Sequence, residues 1–175
     1  MSRQFWQETL AWAVSSGTAV ANTTTETIIV PNVTIPANYM QDGRALVVRA
    51  AGQHSTTGTP TLIFRVRWGG VAGTVIGLSP TFTTGSGVTA DLYELDFVIQ
   101  TRTNGSAGTL VLIGDVGVVG ATVPAQLFCA GGSLTPAATA CDLTADTALS
   151  LTCQWSAASA SNTLTNWNYH VMGLN

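Results

Sequence analysis

The segment Thr61–Trp68, TLIFRVRW, alternates without a break: Leu62, Phe64, Val66 and Trp68 interleave with Ile63, Arg65 and Arg67. Successive side chains of a strand point to opposite faces, so this pattern specifies a strand with one buried face and excludes an amphipathic helix. The same period recurs in ADLYELDFVIQTR, with Tyr93, Leu95, Phe97 and Ile99 on one side and Glu94, Asp96 and Gln100 on the other. It appears again in TALSLTCQW, through Leu149, Leu151, Cys153 and Trp155. Turn formers separate the runs: Asp42-Gly43, Gly69-Gly70 and Asn104-Gly105. Eight or nine such signals, with no internal repeat, predict an all-β chain, an antiparallel β-sandwich of jelly-roll type with about eight strands. Residues 90–120 read as one hairpin. The chain is expected to close on another, from Thr147 through the loop SAASASN to a final strand whose Trp167, Tyr169 and Val171 share a face.

Composition supports an all-β chain and narrows its role. Only 9% of the 175 residues are charged, all six basic residues are arginine, and the net charge is −3. Weak surface charge favours a chain that works in assembled form. The acidic balance and the lack of a basic run argue against a nucleic-acid partner. No run reaches the ~18 apolar residues of a membrane-spanning helix, and Gln7, Glu8 and Thr9 interrupt any secretory leader. Cys129, Cys141 and Cys153 are an odd, widely spaced set, which reads as structural thiols in a reducing compartment.

Residues 1–24 read differently from 25–175, and the boundary separates an N-terminal arm from the sandwich domain. Phe5, Trp6, Leu10 and Trp12 crowd together, and Trp6, Leu10 and Ala13 have the spacing of one stripe of a short helix. Either the segment folds back on its own domain, or its aromatics dock on a neighbour, since tryptophan is a favoured interface anchor.

Chemistry is sparse. His54 and His170 lack sequence partners, no nucleophile elbow exists, and surface positions are expected for both. Glu94 and Asp96 lie roughly 7 Å apart along one strand face, compatible with a glycosidase pair, although alternating acids on an exposed sheet are the commoner case. Arg65 and Arg67 are expected to meet those acids across the sheet. The glycine-rich spots match no phosphate loop. No catalytic residue, cofactor or metal is assigned.

The closing stretch DLTADTALSLTCQWSAASASNTLTNWNYHVMGLN resembles the C-terminal hairpin of small virion proteins of tailed bacteriophages, which carry a tumour-necrosis-factor-like jelly roll. The resemblance lies in A-L-S-L-T-x-Q-W, in S-A-S-N-T-L-T and in the aromatic final strand; the turn before LIFRVRWGG is similar too. It implies a non-enzymatic homotrimer on the head surface of the virion, made in the host cytoplasm. The partner implied is the major capsid protein or another virion protein, with neither nucleic acid nor membrane involved. Capsid decoration, or cement, is the job favoured. A head- or tail-fibre tip is the alternative, as is a carbohydrate-binding module using Trp167, Asn168 and Tyr169. A hydrolase on Glu94 and Asp96 is a third reading. The interface candidates are Phe5, Trp6, Trp12, Trp167 and Tyr169.

Overall fold

The computed structural model describes residues 7–122, 126–130 and 135–174, with backbone only for 126–130. Phe5 and Trp6 lie outside the described residues. Among those described there is no helix; fourteen strands account for all regular structure. Nine have five or more residues: β1 (Gln7–Trp12), β5 (Ala45–Ser55), β6 (Thr61–Trp68), β7 (Thr74–Leu78), β9 (Asp91–Thr103), β10 (Gly108–Val118), β11 (Gln126–Ala130), β13 (Thr147–Trp155) and β14 (Thr163–Leu174). Five short ones trim the edges: β2 (Val20–Ala21), β3 (Thr27–Ile28), β4 (Val33–Ile35), β8 (Phe82–Thr83) and β12 (Thr139–Cys141).

Two antiparallel sheets pack face to face. The first runs β1-β14-β5-β9-β10 and the second β7-β6-β13-β3. Strand β11 pairs with β10 through Ile113–Val116 and with β7 through Gly77 and Leu78, joining the sheets along one side. The other side is open, between β1 and β3. Alternating apolar residues meet in the middle: Leu46 and Val48 of β5 and Tyr93, Leu95, Phe97 and Ile99 of β9 face Leu62, Phe64 and Val66 of β6 and Leu149, Leu151 and Trp155 of β13, all buried. Phe64 and Tyr93 stack at a centroid distance of 5.4 Å, within the range that adds to simple area burial.

The hairpin predicted over 90–120 is present, β9 pairing with β10 from Tyr93–Val118 to Thr103–Thr109. The closing hairpin is not. β13 pairs with β6, β3 and β4, whereas β14 pairs with β5, β1 and β2. The loop after Trp155 therefore arches from one sheet to the other, and the two apolar stripes face each other across the core.

The helical stripe expected near the N-terminus is also replaced. Gln7–Trp12 is an edge strand against β14, from Gln7–Leu174 to Trp12–His170, with a bulge between Thr9 and Ala11. An unpaired strand offers more backbone hydrogen bonds than one isolated helical turn can satisfy. Leu10, Ala11 and Ala13 pack on the core from that edge.

On the outer face of the second sheet, polar side chains of β6 and β13 are tied to Thr24, Glu26 and Asn32 of the adjoining edge segment. Glu26 sits over β13 and β6, its Oε1 accepting from Arg67 Nε at 2.6 Å and Thr152 Oγ1 at 2.6 Å, its Oε2 from Arg67 Nη2 at 2.7 Å and Arg65 Nη1 at 3.2 Å. Gln154 reaches the Thr24 carbonyl at 3.1 Å, and Ser150 donates to Asn32 Oδ1 at 2.7 Å. Thr152 and Ser150 are consequently buried although they point away from the core. This corrects the expected pairing of Arg65 and Arg67 with Glu94 and Asp96: those acids stand on the outer face of the opposite sheet, so the two sets point away from one another.

Candidate assembly face

Among the described residues none covers the outer face of the first sheet, and its register places a defined set of residues there. One line across the strands reads Trp12, His170, Arg49, Asp96, Asp115. The neighbouring line reads Thr9, Met172, Val47, Val98, Ile113. Beyond the charged line lie Asn168, Ala51, Glu94 and Gly117, then Gln53 and Leu92. Of the seven large hydrophobic residues exposed among the described residues, six gather on this side: Trp12, Leu92, Val98, Ile113, Val119 and Trp167. Five strands about 4.8 Å apart, overlapping for some ten residues, give a face of about 800 Å². That matches the area each partner contributes to a standard protein interface. Its exposed apolar residues flank the Arg49–Asp96 line, Val98 and Ile113 on one side and Leu92, Val119 and Trp167 on the other.

Trp167 owes its position to a bulge. In β14 the inward residues run Leu164, Asn166, then Tyr169 and Val171, because the register with β5 slips between Asn166 and Asn168. Two neighbours hold the slip. Tyr93 donates its buried hydroxyl to Asn166 Oδ1 at 3.0 Å. Gly52, opposite on β5, leaves room for the approaching backbone; a Cβ there would overlap the Thr165 carbonyl and the Asn166 backbone. The extra residue is expelled, which is how bulges re-aim a side chain. Trp167 is thus 58% exposed, while Tyr169 is 2% exposed in the core. The expected common face of Trp167 and Tyr169 is corrected accordingly, and burial pushes the Tyr169 phenol above its ordinary value.

Around Trp167 the sheet forms an open cleft of about 330 Å³, walled by Trp167 and Leu92, floored by Ala51 and Gly52 and edged by Gln53 and Asn168. Ala90, also at its margin, holds the left-handed region at φ 56°, a conformation that costs a non-glycine residue roughly 1–2 kcal/mol. Trp12 ends β1 at the sheet's edge, 65% exposed.

Among the described residues, the carboxyl and imidazole groups of this face are those of Glu94, Asp96, Asp115 and His170. Asp96 is held by Arg49 at 2.9 Å, both exposed, and Glu94 stands on the open sheet surface. Among the described residues no group of three or more His, Cys, Asp or Glu side chains is placed to hold a metal ion. His54, expected at the surface, is fully buried on the inner face of β5, with Nδ1 3.1 Å from the Asp91 carbonyl. Burial lowers its pKa, against the smaller raising influence of that carbonyl and the Asp91 charge. His170 is half-buried on the outer face. Cys141 and Cys153 are free and buried, and burial raises their thiols to about 11 and about 12.

Sequence reasoning singled out Trp12 and Trp167 but passed over Leu92, Val98 and Ile113. A signal existed: Leu92 and Val98 share the phase of Glu94 and Asp96, so that outward stripe mixes large apolar residues with acids. Comparison with known proteins finds no family model that matches the chain and no curated protein that matches it.

Proposed function

We propose that this protein is a non-enzymatic virion component of a tailed bacteriophage: a homotrimeric capsid decoration protein that clamps the head shell by repeated weak contacts. The observation that carries the assembly role is the asymmetry of the two outer faces. One carries the paired arginines, hydroxyls and amide tied to Thr24, Glu26 and Asn32, and the other leaves six large apolar side chains in water. Supporting the jelly-roll reading is the interleaved strand order: β1-β14-β5-β9 in one sheet stands against β3-β13-β6-β7 in the other. The virion reading draws on the resemblance of the closing stretch. Self-association through this face, of standard interface size and with apolar groups on both sides of the Arg49–Asp96 pair, supplies the trimer, and three linked copies multiply modest shell contacts through effective concentration.

Two measurements test it. Light scattering of the purified protein should give three times the chain mass, and a stable monomer would remove the trimer. Quantitative mass spectrometry of purified particles should count hundreds of copies; a handful would favour the fibre-tip reading. Trp167 beside the amides of Asn168 and Gln53 also fits a sugar-binding platform, and a glycan array separates that second reading.

A further inference from the structure

The outer face of the first sheet carries both halves of a contact that one chain cannot make with itself. At the sheet's edge Trp12 projects as an isolated knob. In mid-sheet, Trp167 and Leu92 wall a cleft over Ala51 and Gly52. Trp12 lies on β1, Trp167 on β14, the cleft floor on β5 and Leu92 on β9, and these are consecutive strands. The knob is therefore two strand spacings, about 10 Å, from its own cleft floor and about 15 Å from Leu92. Paired with His170 at the sheet's edge, Trp12 does not line its own cleft.

We infer that Trp12 of one copy fills the Trp167–Leu92 cleft of the next. This rests on the trimer reading above and names the contact that builds it. The chemistry favours this occupant. The cleft is mostly apolar, it is large enough for an indole, and its Trp167 wall offers an offset-stacking surface to a second indole. Val98 and Ile113 are too small to fill it and belong to the aliphatic band on the far side of the Arg49–Asp96 pair. An edge knob meeting a mid-face socket displaces each copy sideways from the last. Such a contact is heterologous and uses one knob and one socket per interface; it builds a ring when the rotation between copies closes, and the trimer reading sets the number at three. Rigid tryptophans seated in desolvated pockets are the residues that dominate interface energy. The band of Met172, Val47, Val98 and Ile113 adds apolar area beside the knob.

The test uses the full chain. Trp12→Ala removes an exposed side chain, so its thermal transition should keep the wild-type shape while light scattering shows monomer at concentrations where wild type is trimeric. A photo-reactive phenylalanine analogue at position 12 keeps the aromatic bulk; irradiation should yield covalent dimers and trimers, with crosslinks mapped to Leu92, Ala51 or Trp167. If wild type is itself monomeric, the trimer reading falls and the contact with it. A trimeric wild type whose Trp12→Ala variant also remains trimeric overturns only the knob and socket. So do crosslinks mapping elsewhere, or a monosaccharide that binds the cleft of the assembled trimer and is lost on Trp167→Ala.

Discussion

Replacing Glu26 with glutamine should cost about 2–4 kcal/mol of stability while leaving assembly intact. The carboxylate accepts four hydrogen bonds, three of them from two arginines whose side chains, like its own, are less than one-fifth exposed. Removing one partner of a buried ion pair typically costs about 3–5 kcal/mol, chiefly because the other charge stays buried without compensation. Here two guanidinium groups on alternate residues of β6 would be left facing each other. Residual solvent contact brings the expectation below the top of that range, and the glutamine oxygen can still accept from Thr152. For a chain of this length a loss of 3 kcal/mol lowers Tm by about 6–12 °C. Urea unfolding followed by tryptophan fluorescence, at one fixed protein concentration, reads the change directly. Glu26 adds a pH signature. Burial raises its carboxyl pKa, but the hydrogen bonds from Arg67 and Thr152 and the two arginine charges outweigh that and hold it below the ordinary carboxyl value of 4.5. A group whose pKa is depressed by folding stabilises above its unfolded value, and that contribution is lost as pH falls through the folded value. Glu26→Gln should therefore flatten the acid limb of the stability profile below about pH 4.5. A loss under about 0.5 kcal/mol, the level of a surface substitution, would refute the view that this carboxylate fastens residues 24–32 to the sheet.

Three further outcomes follow from groups inside the sandwich. His54 has its pKa lowered by burial from 6.5, so the unfolded chain takes up the proton first; stability should fall as pH drops below about 6.5 and level off below the folded pKa, and His54→Asn should remove that slope in a pH series of urea midpoints. Gly52→Ala should destabilise by more than about 2 kcal/mol and shift Trp167 emission, since a Cβ collides with the backbone that forms the bulge; an unchanged spectrum and midpoint would mean the bulge does not depend on it. Cys141, with its thiol raised to about 11 and buried, should resist a thiol reagent at pH 8, where only about a thousandth would be thiolate, and react once denaturant is added.

The buried stripes of the long strands are legible because period-two alternation reports which residues share a face. It does not report which strand lies alongside, and that is why TALSLTCQW and the final strand look like hairpin partners while lying in opposite sheets. Partner choice depends on groups far apart in sequence: Arg65 and Arg67 find Glu26 about forty residues earlier, not the acids whose alternation mirrors theirs. The candidate face shows the same division. Trp167-Asn168-Tyr169 is spaced like unbroken alternation, and the slip that separates Trp167 from Tyr169 is set by Gly52 and Tyr93 on other strands. Trp12, whose segment could have folded onto the core or docked on a neighbour, is exposed at the end of a strand and not near a helix, because the open edge of β14 supplies hydrogen bonds that no local pattern announces.

The sandwich is joined along one side by β11 and opens only between β1 and β3, and this governs how the chain can aggregate. A strand with a free backbone edge invites another chain to extend the sheet, without limit. Here one such edge consists of the six residues of β1, broken by a bulge at Thr9–Ala11, and the two of β2, and the other of the two residues of β3 and the three of β4. Neither provides the long flat template that fibrils need. A protein with almost no charge to keep its copies apart can thus carry a large sticky face in concentrated solution. The association proposed above would then run through side chains and not by extending the backbone ladder.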